Sequence, residues 1–443
     1  MFTDLILRVA KCVVFVVLLV VSAPAQQPMS SFERGRALDM LQTISNDVKK
    51  HYYDPKFHGV DFEAKVDEAK KKIQNATSFN MAMSHIAAVL DSLNDSHTFF
   101  LPPQHSYRHS YGLSYQMMGD RCFMTQVRPG SDAEQKGVKP GDEVLAINGF
   151  DVDRNNLWRI QYVFSALRPQ PMLRLALKDP AGNQRQVEVA ARIRQEKRVK
   201  DLTLENGAGD IWDLYRDQET EDHLKRTRYR EFGDQVLVLK IPEFRDLSAA
   251  EVDGIIGKAR KYPALIIDLR GNPGGIADTL KFLVGGVFDK EIKIADRVGR
   301  KESKPEIAKP LHNSYTGKLV VLVDAGSASA SELFARVIQL EKRGVVMGDA
   351  TMGAVMEARE YSERAGVDTV VFYGASITEW DLIMSDGKSL EHRGVTPDEL
   401  LLPSPQALAN GRDPVLAHAL ESFGLKVSSE EAGKSFPYEW SPE

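Results

Sequence analysis

The chain has 443 residues, of which 43% are hydrophobic and 27% are charged, and its formal net charge is −5. A chain of this length can bury more than one core, so we expect two to four domains. Lysine and arginine are spread along the whole chain, without the basic patch typical of nucleic-acid binding, so we expect no nucleic-acid partner.

The first 25 residues have the pattern of a cleavable signal peptide. Arg8 and Lys11 precede an apolar run from Cys12 to Val21, and an A-x-A cleavage site stands before Gln26. The run is short for a membrane span, so we expect no stable span after cleavage, and a secreted or periplasmic protein; an uncleaved anchor is the alternative. Cleavage would leave Cys122 as the one remaining cysteine, which excludes an internal disulfide and a cysteine-based zinc site.

Residues 30–104 have apolar side chains at three-to-four spacing in three successive segments, which predicts an N-terminal helical bundle. Its last helix ends at a polar turn, Asn94-Asp95-Ser96-His97-Thr98, followed by Pro102-Pro103.

Residues 108–196 resemble a β-rich PDZ domain. The segment Tyr111-Gly112-Leu113-Ser114-Tyr115 is similar to the family's carboxylate-binding loop, and VRPGSDAEQKGVKPGDEVLAINGFDV is similar to the turn, helix and strand that follow it. PDZ domains bind peptides as an added strand, so this resemblance implies a peptide-binding loop at those five residues. Ser114 replaces the second loop glycine, and a rigid spacer is the alternative reading.

The charged segment at 197–232 is predicted to be a linker or a cap. From 233 to 425 strands and helices alternate, which predicts an α/β core with a mostly parallel sheet. The final segment, 426–443, is polar, and we expect a loosely held tail.

Two strand-to-turn segments of this core carry the candidate chemistry. In VLVDAGSASASELFARVIQL a buried strand breaks at a small-residue turn and re-enters as a helix, which is how a nucleophilic serine is displayed. The simpler alternative is a helix N-cap, with Ser331 as the capping residue. The second segment, KYPALIIDLRGNPGGIADTL, runs from a buried strand into a Gly-Gly turn.

Together, DLRGNPGG and GSASASE closely resemble the serine peptidases that include the carboxyl-terminal processing (tail-specific) proteases and the tricorn protease. The resemblance extends from about residue 35 to 420. It implies a ClpP/crotonase-like α/β core, a serine endopeptidase activity on polypeptide substrates, and no cofactor or metal. It makes Ser329 the nucleophile. We expect Asp268, Arg270 and Asn272 to be structural rather than catalytic, holding the turn together through hydrogen bonds.

The processing proteases use a lysine base 25 residues after the serine, but that position is Ala354 here, and the partner glutamine is Ala358. The tricorn branch instead uses a histidine base and an orienting glutamate. Its resemblance to this chain implies His97 as the base, Glu391 in SLEHRGVTPDEL as the orienting acid, and Ser96 as a helper that forms a hydrogen bond near the acid. An imidazole titrates near neutral pH and suits this task.

Several alternatives stay open at this level. The DSHT turn also occurs in lysine-base relatives, and Glu357 or Glu360 could replace Glu391. His392 is too isolated to indicate a metal site. The oxyanion hole is predicted at the amides of Ala330 and of one glycine of Gly274-Gly275. The missing lysine and glutamine also leave open an inactive relative that binds peptides, or a small apolar ligand as the retinoid-binding members of the family do.

Overall fold

The computed structural model describes residues 29–105, 107–195, 223–366 and 370–441. The predicted signal peptide and most of the predicted linker lie outside the described residues. Within these ranges, no helix has both the length and the apolar character that crossing a membrane requires.

Three helices form the N-terminal bundle, and each begins at a side chain that caps it. Ser30 and Glu33 form a capping box at the first helix, Asp61 caps the second, and Ser78 caps the third. Their apolar faces meet in one buried cluster that also contains Phe100 and three residues of a later strand, β18 (Val371–Met384). The helices are α1 (Ser31–His51), α2 (Phe62–Gln74) and α3 (Phe79–Asp91).

The β-rich unit that follows is an antiparallel sheet with two short helices. Its strands lie in the order β3-β4-β5-β7-β8, with β6 beside β5 and with β3 at one edge. The bounds are β3 (Leu113–Met118), β4 (Arg121–Val127), α4 (Asp132–Gln135), β5 (Glu143–Ile147), β6 (Phe150–Asp151), α5 (Leu157–Tyr162), β7 (Met172–Lys178) and β8 (Gln184–Ala190). A two-stranded ribbon of β2 (Tyr107–Ser110) and β9 (Arg192–Gln195) joins its two ends.

The central sheet of the core is mixed, with one antiparallel edge strand and five parallel strands. Its order is β10 (Arg228–Phe232), β11 (Val236–Lys240), β12 (Ala264–Asp268), β15 (Lys318–Val323), β16 (Val345–Gly348) and β19 (Glu399–Leu400). Every residue of β12 is buried, because helices cover both faces of the sheet. The helices are α6 (Ala249–Ala259), α7 (Ala277–Val287), α8 (Ala330–Leu340), α9 (Pro405–Ala409), α10 (Pro414–Glu421) and α11 (Ser429–Gly433). The predicted α/β core is thereby confirmed.

A second, antiparallel sheet joins the bundle to the core, and the sequence pattern did not indicate it. Its central strand β18 (Val371–Met384) pairs with β1 (Phe99–Leu101), with β13 (Ile292–Gly299) and with β17 (Met356–Ala365), and β14 (Glu306–Ala308) pairs with β13. Pairing of β1 with β18 holds the turn that carries His97 against the core.

The C-terminal segment is packed rather than loosely held, which corrects the expectation for residues 426–443 as far as Ser441. Helix α11 buries Ala432, and Phe436 packs against the outer helices of the core. Polar composition concealed these contacts because only a few of the residues in the segment are apolar.

Candidate active site

Ser329 lies at a sharp turn between β15 and α8. It has φ 52° and ψ −116°, a backbone conformation that a residue with a side chain rarely adopts. Ser329 is the N-cap of α8, so the alternative in which Ser331 caps this helix is wrong. Ser331 instead donates its hydroxyl to the Asn272 carbonyl at 3.0 Å.

Asn272, which is fully buried, joins the Gly-Gly turn to the serine turn. Its carbonyl accepts the Ala328 amide at 3.0 Å, and its side-chain amide donates to the Ile241 carbonyl at 2.8 Å. Its side-chain oxygen accepts the Gly274 amide at 2.8 Å. These bonds fix one turn against the other, in line with the structural role predicted for Asn272.

The Gly-Gly turn passes directly over the serine. A Cβ built on Gly274 would stand 2.7 Å from Ser329 Cβ, and one on Gly275 would stand 2.2 Å from the Phe244 carbonyl oxygen. The Gly274 amide already donates to Asn272. Of the predicted oxyanion donors this leaves Gly275 and Ala330, whose N–H groups have no hydrogen-bond partner among the described residues. Ala330 opens α8, where the first amides have no intrahelical acceptor.

The Glu332 carboxylate lies fully buried beneath the serine turn. It accepts the amides of Ser329 at 3.0 Å, Gly353 at 2.8 Å and Ala354 at 3.0 Å, and the Thr351 hydroxyl at 2.5 Å. Burial raises the pKa of Glu332 to about 7, and the four hydrogen bonds oppose that rise. Glu332 thus connects the serine turn to the segment from Thr351 to Ala354.

Sequence reasoning missed this contribution of Glu332. The spacing Ser329-x-x-Glu332 is that of a capping box, and it could have indicated that Glu332 reaches back to the serine amide.

His97 stands on a turn held by its neighbours. The Asp95 carboxylate accepts the amides of His97 and Thr98, each at 2.9 Å, and the Thr378 hydroxyl at 2.7 Å. Thr98 also bonds Thr378 on β18. The DSHT turn is therefore anchored to the core, and the imidazole direction is set by a fixed backbone.

Ser96 lies between His97 and Glu391. Its Oγ is 2.8 Å from His97 Nδ1 and donates to Glu391 Oε2 at 2.8 Å, while its amide donates to Glu391 Oε1 at 2.8 Å. Since the hydroxyl proton is given to the carboxylate, the hydroxyl accepts from Nδ1–H. That tautomer leaves the lone pair of the ring on Nε2.

The Ala354–Val355 peptide group connects Ser329 to the His97–Ser96–Glu391 group. Its carbonyl, that of Ala354, accepts the Ser329 amide at 2.8 Å, and its N–H, that of Val355, donates to Glu391 Oε2 at 2.9 Å. The structure thus joins His97 to Glu391 through Ser96 and links this group to Ser329 through the Ala354–Val355 peptide. No direct hydrogen bond joins Ser329 and His97 in the described ranges.

Burial disfavours charge on both titratable members of this group. It lowers the pKa of His97 below its ordinary value, although the Asp95 charge acts in the opposite direction. It raises the pKa of Glu391, while hydrogen bonds from Ser96 and Val355 hold it down. Both shifts are those expected where side chains are removed from water.

The other candidate residues lie outside this group. Glu357 is bonded by both oxygens to Arg297, at 2.6 and 2.8 Å, and Glu360 is exposed on β17. Asp268 and Arg270 form an ion-paired network with Asp413. Within the described ranges, no cluster of three or more histidine, cysteine or acidic residues could hold a metal ion.

The predicted peptide-binding loop precedes and enters β3, the edge strand. Gly112 has φ 66°, and its carbonyl accepts the Arg128 amide at 2.8 Å, while the Tyr111 hydroxyl donates to the Gln170 carbonyl at 2.6 Å. In the part of the chain that the structure describes, β3 pairs only with β4, so its other edge is open. An open edge is what peptide addition to a sheet requires.

Residues 235–401 match the model of peptidase family S41, and residues 103–164 match that of the PDZ domain. These matches confirm the predicted resemblance. The protein is a serine endopeptidase with an S41 peptidase domain and a PDZ domain.

Its relatives include proteins described as probable CtpA-like serine proteases. The relative from Staphylococcus aureus (strain bovine RF122 / ET3-1) is 22% identical over 383 residues, covering 80% of this chain and 69% of the relative. The relative from Staphylococcus haemolyticus (strain JCSC1435) is 24% identical over 371 residues, covering 82% of this chain and 64% of the relative.

Two solved structures share the fold. Mature CPAF has a TM-score of 0.63 at 17% identity, covering 86% of this chain and 95% of its own. The photosystem II D1 C-terminal processing protease has a TM-score of 0.52 at 18% identity, covering 89% of this chain and 98% of its own.

Proposed function

We propose that this endopeptidase hydrolyses peptide bonds with Ser329 as the nucleophile, His97 as general base and acid, and Glu391 as the orienting carboxylate acting through Ser96. The observation that carries the proposal is the hydrogen-bond series His97–Ser96–Glu391, joined to Ser329 by the Ala354–Val355 peptide.

In the first step the Ser329 oxygen attacks the scissile carbonyl carbon while its proton passes to His97 Nε2. The imidazolium then donates Nδ1–H to Ser96, which donates to Glu391. A negative charge behind the ring stabilises the cation without accepting its proton, as in serine proteases generally. The Ser96 relay supplies this stabilisation over two hydrogen bonds.

The tetrahedral oxyanion is bound by the amides of Ala330 and Gly275. Collapse of the intermediate breaks the C–N bond, and His97 gives its proton to the leaving amine. Water, deprotonated by His97 in turn, then hydrolyses the acyl-enzyme ester. Losing one amide donor costs about 2.7–4 kcal/mol of transition-state stabilisation in related chemistry.

The substrates we propose are unfolded or tail-exposed polypeptides recruited by the PDZ domain. The open edge of β3 offers backbone groups for an added strand, and the loop from Tyr111 to Tyr115 lies at the start of that strand. An extended chain is the form that such an edge can bind, so folded proteins are poor substrates.

A fluorophosphonate probe tests the nucleophile. The folded protein is expected to label at Ser329 and to digest casein, and Ser329→Ala is expected to lose both. Ser331→Ala is the matched control, since that hydroxyl is bonded to the Asn272 carbonyl. Labelling at another serine, or none in the folded protein, contradicts the proposal.

We also propose that the protein is exported after cleavage near Ala25, on the basis of the N-terminal sequence pattern. N-terminal sequencing of the protein recovered from a bacterial expression host is expected to begin at Gln26. An intact N-terminus at Met1 in the cytoplasmic fraction alone contradicts this.

A further inference from the structure

A cleft of about 1370 Å³ separates the PDZ domain from the core. Its lining includes the loop from Tyr111 to Ser114 on one side and Arg270 and Asp324 on the other. Residues 436–441 also line this cleft, and we call them the C-terminal strap.

The strap starts on the core side. Phe436 packs with the outer core helices, and the Arg228 guanidinium lies 5.8 Å from its ring centroid. Arg228 also donates to the Pro437 carbonyl at 3.0 Å and pairs with Glu439 at 3.2 Å. His223 lies 3.3 Å from the second oxygen of Glu439.

The strap ends on the PDZ side. The Arg128 guanidinium stacks over Trp440, 4.9 Å from the ring centroid, and donates to the Ser441 carbonyl. Tyr438 supports the indole edge-on, with centroids 4.8 Å apart. The Arg128 amide bonds the Gly112 carbonyl, so the end of the strap rests on the residue that braces the predicted peptide-binding loop.

The charged side chains that line the cleft favour binding of an acidic peptide such as the strap. The described lining carries eight lysine and arginine side chains and four acidic ones, and Glu439 of the strap is one of the four. Lys240 and Arg270 are ion-paired with Asp268, and the six other basic side chains still outnumber the three acidic ones that remain without the strap, which favours an anionic peptide. Arginine stacked on an aromatic ring adds recognition of the side chain itself.

We propose that the C-terminal strap is an internal ligand of the recruiting cleft. Substrate ends displace it when they offer an aromatic ring to Arg128 and a carboxylate to Arg228. This inference rests on the proposed recruitment by the PDZ domain, and it names the substrate class: polypeptide tails with aromatic and acidic side chains near the end.

A tethered ligand competes at an effective concentration on the order of 1 mM. A free peptide with an intrinsic Kd of about 100 µM would therefore bind roughly tenfold more weakly to the intact chain than to a chain whose strap is released. Trp440→Ala removes the ring over Arg128 and is expected to release the PDZ-side end of the strap.

The experiment measures binding of a fluorescent peptide, KSFPYEWSPE, to the full-length Ser329→Ala protein by anisotropy. Adding Trp440→Ala is expected to tighten binding about tenfold. The matched control is Tyr229→Ala, which removes a ring that stacks on Lys258, 3.5 Å from the centroid, on the core surface. This control is expected to leave the Kd unchanged, and a scrambled peptide is expected to bind none of the proteins.

Arg128→Lys in the Trp440→Ala protein is expected to abolish the gain, because an ammonium does not reproduce the planar stack. Equal Kd values in all proteins, absence of binding, or a gain that survives Arg128→Lys would each overturn the inference. None of these readouts needs catalysis. If the peptide binds as expected but the protein with Ser329 intact takes no fluorophosphonate label, the proposed chemistry fails and the inference about the strap stands.

Discussion

Ser96 Oγ donates to Glu391 Oε2 at 2.8 Å, so the predicted orienting acid reaches the imidazole through a hydroxyl. The relay fixes the Nδ1–H tautomer of His97 and aims the Nε2 lone pair away from the carboxylate. The sequence predicted Glu391 as the orienting carboxylate and Ser96 as a helper that forms a hydrogen bond near the acid. The geometry makes Ser96 the connecting group.

Ser96→Ala is expected to lower kcat on casein by about a hundredfold with little change in KM, since general acid–base catalysis is worth 10²–10⁴-fold and this variant loosens it. His97→Ala is expected to cost more, on the order of 10³-fold or greater. Steady-state kinetics measure both.

Ser92→Ala is the matched control for Ser96, because its hydroxyl donates at 2.6 Å to the Val89 carbonyl, in the last turn of its own helix α3, rather than to a site residue. It is expected to retain the original kcat. A Ser96→Ala enzyme as fast as this control would rule out the relay.

Activity is expected to rise with pH, because only neutral imidazole accepts the Ser329 proton. Burial lowers the pKa of His97, so the midpoint of kcat/KM is expected below the ordinary histidine value of about 6.5. A profile measured from pH 4.5 to 10 tests this. Lys342→Ala is expected to have the same profile, whereas a rise confined to pH values above 9 would indicate a lysine base.

The sequence predicted the parts of the fold that depend on local pattern. Apolar runs that break at small residues predict both the burial of β12 and β15 and the turns that follow these strands. The antiparallel sheet around β18 was not readable, because its partners are separated by up to 280 residues or so, as in the pairing of Phe99 with Ser376. Local periodicity carries no information about such pairing.

The candidate site likewise has residues that local motifs predict and residues whose role depends on distant parts of the chain. Ser329 and Gly274 follow from motifs, but the role of Ser96 as a link depends on where Glu391 arrives from the far end of the chain. The strap was missed for a related reason. Trp440 is a single aromatic residue in a polar segment, and its meaning depends on Arg128, more than three hundred residues earlier.

Gly274→Ala is expected to displace Ser329, the proposed nucleophile. The new Cβ would stand 2.7 Å from Ser329 Cβ and 2.9 Å from the Ala328 carbonyl oxygen. Gly271→Ala is the matched control, since Gly271 also has positive φ, at 70°, but a Cβ there meets nothing within 4 Å.

Both variants carry the backbone strain of a side chain at positive φ, about 1–2 kcal/mol. Only Gly274→Ala is expected to lose fluorophosphonate labelling, by a factor of a hundred or more in rate. Equal labelling rates in the two variants would show that close approach over Ser329 does not matter.

The last prediction concerns stability and Glu332. Its pKa is raised to about 7 from an ordinary value of 4.5, so the folded state binds a proton that the unfolded state releases between these values. The stabilisation is complete below pH 4.5 and is lost as the pH rises through 7. A shift of this size corresponds to about 3 kcal/mol.

Glu332→Gln removes the titration and also presents an amide N–H₂ to a site where every neighbour donates, so it is expected to be less stable at all pH values, by about 1–3 kcal/mol. The measurement is the urea unfolding free energy at pH 5 and pH 8. Between these values, the original protein is expected to lose more stability than the variant. Glu360→Gln, at an exposed position on β17, is the control and should follow the original protein. Identical pH dependence in Glu332→Gln and Glu360→Gln would mean that the Glu332 carboxyl stays ionised across this range and that its four donors outweigh its burial.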